Sequence, residues 1–134
     1  MNAVNDKDFF HLKIHTQYSI CEGALRTSDL GKYCKENRVK AVGLCDSYNL
    51  CGALDFSESV SKSKTQPIIG TQLNVIYKGH RGKIPLFAKN LEGYKNLVKL
   101  SSKSFLEIKD DEEPHCKIED IEKNFNGLIL LTGS

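Results

Sequence analysis

No stretch of this sequence stays apolar for the roughly 20 residues that a membrane-spanning helix needs, so no such helix is expected within it. The opening MNAVNDKDFF lacks the basic start and apolar centre of a secretory signal. Cysteines are present at 21, 34, 45, 51 and 116, yet none are spaced as in a zinc knuckle and their number is odd. They read as reduced thiols of a cytoplasmic chain rather than a disulfide framework. No glycine-rich loop follows a predicted strand to cradle a phosphate, and no Gly-x-Ser-x-Gly elbow presents a nucleophile. Neither sign of charge prevails: 19 Lys and Arg face 17 Asp and Glu, a net +2. The charges are interspersed, so no basic field of the kind that binds nucleic acid is expected. The one charge run, KDDEEP at 109–114, reads as a solvated loop, with a partner contact as the alternative. Tryptophan is also missing, which excludes nothing.

The 134 residues suffice for one compact domain or for part of a larger one. Residues 9–15, FFHLKIH, alternate in polarity, with Phe10, Leu12 and Ile14 opposite His11, Lys13 and His15. A period of two predicts a strand. TSDL at 27–30 predicts a helix start capped by Thr27 or Ser28, followed by Leu30, Tyr33 and Cys34 at helical spacing. KAVGLCD reads as a buried parallel strand ending in Asp46. Leu50, Ala53, Leu54 and Val60 predict a second helix, and PIIGTQLNVIY from Pro67 a second strand region. KGHRGK at 78–83 reads as a hairpin turn into IPLFA. Leu91, Tyr94, Leu97, Val98 and Phe105 share one predicted helical face. A short helix with Ile118, Ile121 and Phe125 inward stops at Gly127, and LILLTG is expected as a final buried strand. Strands alternating with helices predict an α/β fold with a largely parallel sheet.

In such folds chemistry gathers at the C-terminal ends of strands. His15 and Glu22 follow the first predicted strand, Asp46 and Ser47 end the second, and Gln72 lies in the PIIGTQ run. A metal-dependent hydrolase would need histidines and carboxylates to converge there and generate hydroxide. His11 reads as an edge or partner-facing residue. His15 reads equally as a hydrogen-bonded structural histidine or a weak ligand. Asp46 serves either as a turn or cap residue or in catalysis. His80 and His115, in polar loops, are expected to be solvated.

Taken in order, FHLKIHTQYSICEGA, KAVGLCDSYNLCGALDF, PIIGTQLNV, LFAKNLEGYKNLVKLSSKSFL and GLILLTGS resemble the PHP (polymerase and histidinol phosphatase) domains that open the α catalytic subunits of bacterial DNA polymerase III. The match is collinear over essentially the whole chain. The resemblance implies a distorted seven-stranded (β/α) barrel, of which residues 1–134 would be the N-terminal portion, with the polymerase domains absent. The stop at TGS, directly after a strand, is what an incomplete barrel would give.

Active members of the family hold up to three metals. Carried over, their His-x-His pair falls on Lys13 and His15 and their acidic ligand on Glu22. The histidine of their Thr-Asp-His falls on Ser47, next to Asp46, and the strand glutamate on Gln72. A further histidine falls near Lys83. Of these ligands only His15 and Glu22 keep suitable chemistry, so the resemblance implies a vestigial site with no catalytic residue, metal or cofactor. The implied role is a structural and interaction module. It would bind the proofreading exonuclease (ε) subunit and the rest of the polymerase holoenzyme, and would meet DNA only through the absent domains. No membrane partner is implied. A half-barrel on its own is expected to self-associate through residues such as Leu12, Leu128, Leu130 and Leu131. The alternatives are a metal-dependent phosphoesterase or 3′–5′ exonuclease, and a stand-alone α/β binding domain.

Overall fold

The computed structural model describes residues 9–132; the readings made on residues 1–8 and on Gly133 and Ser134 lie outside them. Helices and strands follow in the order α1 (Thr27–Asn37), β1 (Ala41–Ser47), α2 (Ala53–Ser61), β2 (Gln66–Tyr77), β3 (His80–Ala88), α3 (Leu91–Leu106), β4 (Cys116–Lys117), α4 (Ile118–Lys123) and β5 (Leu128–Leu130). The α/β class and the alternation of strands with helices are as the sequence predicts. β1 pairs parallel with β2, and β4 joins β2 in the same sense. β3 turns back antiparallel to β2 and carries β5 antiparallel on its far side.

The first predicted strand is interrupted. Among the described residues it is reduced to an isolated bridge of Ile14 with Leu44, followed by one of Thr16 with Leu25. The carbonyls of His11 and Ile14 accept from Gly43 and Cys45, at 2.7 and 2.8 Å. Three residues of this segment therefore span two of β1, which is the signature of a bulge. Gly43 makes room for it: a Cβ there would stand 2.4 Å from the Leu12 carbonyl oxygen. Alternation in the sequence could not reveal this extra residue.

α1 begins without a side-chain cap, contrary to expectation. Thr27 lies inside the helix. Its N–H is satisfied by the Gln17 side chain at 3.2 Å, and its hydroxyl donates to Asp55. The hairpin turn is only Lys78–Gly79, both at positive φ (47° and 78°), as two-residue turns between twisted strands require. His80 to Lys83 already belong to β3.

α3 faces inward with Gly93, Asn96, Leu97, Leu100 and Ser104, leaving Leu91, Tyr94, Val98 and Phe105 exposed to differing degrees. Gly93 sets this rotation. A Cβ on it would lie 1.9 Å from the Gly127 carbonyl oxygen, so the helix can seat against that turn only through a glycine. Phe125, expected inside, is 62 % exposed. β5, expected to be buried, is an edge strand with Ile129 48 % and Leu130 38 % exposed.

Strand register assigns the two faces of the sheet. Leu44, Leu73 and Leu86 lie on the face covered by helices. Leu30, Cys34, Phe56 and Val60 pack there beneath α1 and α2, and Leu97, Leu100 and Ile121 beneath α3 and α4. Alternation places Cys45, Ser47, Gln72, Asn74 and Lys83 on the opposite face.

Candidate functional site

That second face carries the polar cluster. Ser47 and Gln72 are register partners at the C-terminal end of β1, and Lys83 pairs with Asn74 one pleat further along. The loop after the bulge folds over this end in successive turns, with Ser19 N–H donating to Thr16, and Glu22 and Gly23 N–H donating to Ser19. Gly23 permits the last turn, since a Cβ there would overlap the Thr16 carbonyl. The loop brings Glu22 to the sheet. One Glu22 oxygen accepts from the Ser47 hydroxyl, and the other lies 3.2 Å from the Lys83 ammonium. These two hydrogen bonds, that from Ser47 foremost, hold the Glu22 carboxyl below its ordinary range. The Glu22 hydrogen bond in turn raises the Lys83 ammonium above its own.

His15 approaches from the bulged segment. Its Nδ1 lies 3.3 Å from Ser19 Oγ and 4.0 Å from Glu22. Ser19 Oγ donates its proton to Asp46 and accepts from the Ser47 N–H. Its remaining lone pair faces His15 Nδ1. Gln72 is 3 % exposed, and its Oε1 is buried without a hydrogen-bond partner. Lys13 is exposed, yet its charge works against the burial that pushes the Cys45 thiol up to about 12. A cleft of about 210 Å³ beside the cluster is lined by Ile20, Glu22, Ser47, Tyr48, Asn49 and Phe105. Tyr48 enters it with φ at +66°, a strained conformation for a bulky residue.

Asp46 does not join this cluster. It is fully buried on the helix-covered side, where its carboxylate accepts from Thr16 N–H at 2.6 Å, Thr16 Oγ1 at 2.8 Å and Ser19 Oγ at 2.7 Å. These three hydrogen bonds pin the loop to β1. The contacts Asp46 makes are those of an anchor for this loop. Thr16 and Ser19, which sequence reasoning passed over, are the donors. A Thr-x-x-Ser spacing just after a strand was the available signal. His115, expected to be solvated, is largely covered, with Nδ1 2.9 Å from the Glu113 carbonyl. All five cysteines are free thiols.

His15, Glu22, Ser47 and Lys83 are thus brought together, with Gln72 on the same face. Among the described residues no three His, Cys, Asp or Glu side chains are placed to share a metal ion. No helix among them is long and apolar enough to cross a membrane.

Residues 11–134 match the family model described as the PHP domain. The chain is 34 % identical to the DNA polymerase III subunit alpha of Caulobacter vibrioides over 99 % of its own length and 12 % of that relative's. The corresponding subunit of Helicobacter pylori is 41 % identical over 76 % of the chain and 9 % of its own length. That of Aquifex aeolicus is 35 % identical over 94 % and 12 %. The chain therefore spans about a tenth of these relatives. Among solved structures, one from Bifidobacterium adolescentis described as a metal-dependent phosphoesterase superposes with a TM-score of 0.53 at 13 % identity, covering 71 % of this chain and 34 % of that one. An amidohydrolase from Chromobacterium violaceum superposes with a TM-score of 0.54 at 14 % identity, covering 70 % and 34 %. At such identities these two speak for the fold alone.

Proposed function

Because the chain belongs to the PHP domain family and is homologous to the N-terminal region of DNA polymerase III α subunits, we propose that it works as the PHP region of such a subunit, as a scaffold and docking module rather than a hydrolase. On this reading residues 1–134 are the N-terminal portion of a larger PHP barrel. The nucleotidyltransferase activity belongs to polymerase domains elsewhere in the parent protein, which acts in DNA replication in the cytoplasm. The module's partners are the proofreading exonuclease subunit and the polymerase holoenzyme. DNA is reached only through the polymerase domains.

The observation that carries the non-catalytic reading is the Lys83–Glu22 pair. A hydrolytic metal would bind the Glu22 carboxylate, and an ammonium already occupies one of its oxygens. Ser47 occupies the other, and Asp46 is turned away. This donor set does not fit a resident metal cluster. No catalytic step is assigned to it.

The test is sedimentation of the chain with a purified proofreading exonuclease subunit, run beside a manganese-supplemented phosphodiester hydrolysis assay. A complex without turnover supports the proposal. Turnover lost on His15→Ala would favour a metal-dependent phosphoesterase, for which His15 and Glu22, 4.0 Å apart, are the surviving basis.

A further inference from the structure

Lys83 reaches the polar cluster from β3, a strand remote in sequence from the loop that supplies Glu22. The two are 61 positions apart and meet at 3.2 Å. Both are partly shielded, with side-chain exposures of 44 % and 39 %. Both carboxylate oxygens are engaged, one by the ammonium and the other by the Ser47 hydroxyl. Gln72 Oε1, on the same face as Ser47, is a buried acceptor with no donor. The Lys83 ammonium is thus the cation that this carboxylate holds, on a sheet face that also carries Gln72.

We propose that Lys83 is a built-in counter-ion, its ammonium neutralising Glu22 in the place of a divalent ion and keeping such ions out. The inference rests on the non-catalytic reading above and adds a cause: one lysine on β3, besides the missing ligands, closes the site. A divalent ion would bond a carboxylate oxygen at about 2.0–2.2 Å. The Lys83 ammonium already stands 3.2 Å from Glu22, so ion and ammonium could share that carboxylate only against strong mutual repulsion. The lowered Glu22 carboxyl and the raised Lys83 ammonium agree with a charged pair.

Removing the ammonium should therefore weaken the fold slightly and open the site to a real cation. In Lys83→Met the methylene stem remains on the sheet and the charge is gone. Thermal unfolding of the full 134-residue chain is followed with EDTA, 1 mM Mn²⁺ or 1 mM Zn²⁺ as the probes. The midpoint of Lys83→Met should fall by about 2 °C in EDTA, the scale of one partly exposed ion pair. It should recover by at least as much in one of the metals. Wild type and Lys83→Arg should ignore the metals, and so should Lys83→Met/Glu22→Gln, which lacks the carboxylate. If Lys83→Met matches wild type in EDTA and gains nothing from either metal, the counter-ion role is overturned while the scaffold reading stands. If wild type itself is stabilised by metal and loses this with Glu22→Gln, both fail. If Lys83→Met does not fold, Lys83→Gln replaces it under the same criteria.

Discussion

Replacing Asp46 with alanine removes the acceptor for three buried donors at once. Thr16 N–H at 2.6 Å, Thr16 Oγ1 at 2.8 Å and Ser19 Oγ at 2.7 Å all end on this carboxylate. Hydrogen bonds to a charged group are each worth about 1.5–3 kcal/mol net, and a stranded buried donor costs about 1–3. Losing the carboxylate also relieves the cost of burying it, so the three contributions do not simply add. Both hydroxyls can rotate toward other acceptors, but the Thr16 N–H is fixed by the backbone. We expect Asp46→Ala to cost about 3–5 kcal/mol, near the upper end for a single substitution. With a urea slope of about 2 kcal/mol/M, the unfolding midpoint should fall by about 2 M. Asp46→Asn keeps one oxygen for Thr16 N–H and Ser19, while its amide can donate to Thr16 Oγ1. It should cost only about 1–2 kcal/mol. Equilibrium urea unfolding followed by circular dichroism reads all three proteins. An alanine shift below about 0.5 M would refute the anchoring role. Equal losses for alanine and asparagine would show that the charge itself, and not the acceptor geometry, is what the site requires.

Three further outcomes follow from the packing and the charges. Gly93→Ala places a methyl group 1.9 Å from the Gly127 carbonyl, so it should destabilise by about 2 kcal/mol or more, and a neutral result in the same urea assay would contradict the account of how α3 is rotated. Glu22 has a depressed folded value, so its stabilisation is complete above the ordinary 4.5 and is lost as pH falls through the lower folded value. The difference in melting midpoint between wild type and Glu22→Gln should accordingly narrow as pH falls below 4.5, and a gap that instead widens on acidification would count against it. The exposed Leu91, Phe105, Leu106, Phe125 and Ile129, with the β5 edge, should make the 134-residue chain self-associate at micromolar concentration; sedimentation showing a monomer throughout would argue otherwise.

What could be read in the sequence was whatever depends on local period. The helices over α1, α2 and α3, the buried β1 and the hairpin all follow from spacing and turn residues. The misses arise where two distant segments decide together. Leu91, Tyr94 and Val98 form as good an apolar stripe as Leu97 and Leu100, and only the close approach of Gly93 to Gly127 selects between them. The bulge at 11–14 depends on Gly43 of the neighbouring strand. In the site, the strand-end place of Ser47, the place of Gln72 in the PIIGTQ run and the loop position of Glu22 after the first strand were legible, while the sharing of one face by Ser47 and Gln72 depends on the β1–β2 register. Asp46 was harder. Its type and its place at a strand end suit a ligand, and only the donors that converge on it from Thr16 and Ser19 make it an anchor.

Titration calorimetry of manganese into the wild-type chain tests the central claim most directly. A site closed by Lys83 and short of ligands should give no saturable heat at 100 μM protein and up to about 1 mM metal, the scale at which a weak two-ligand site would begin to fill. A stoichiometric isotherm with micromolar affinity, abolished by Glu22→Gln, would contradict it.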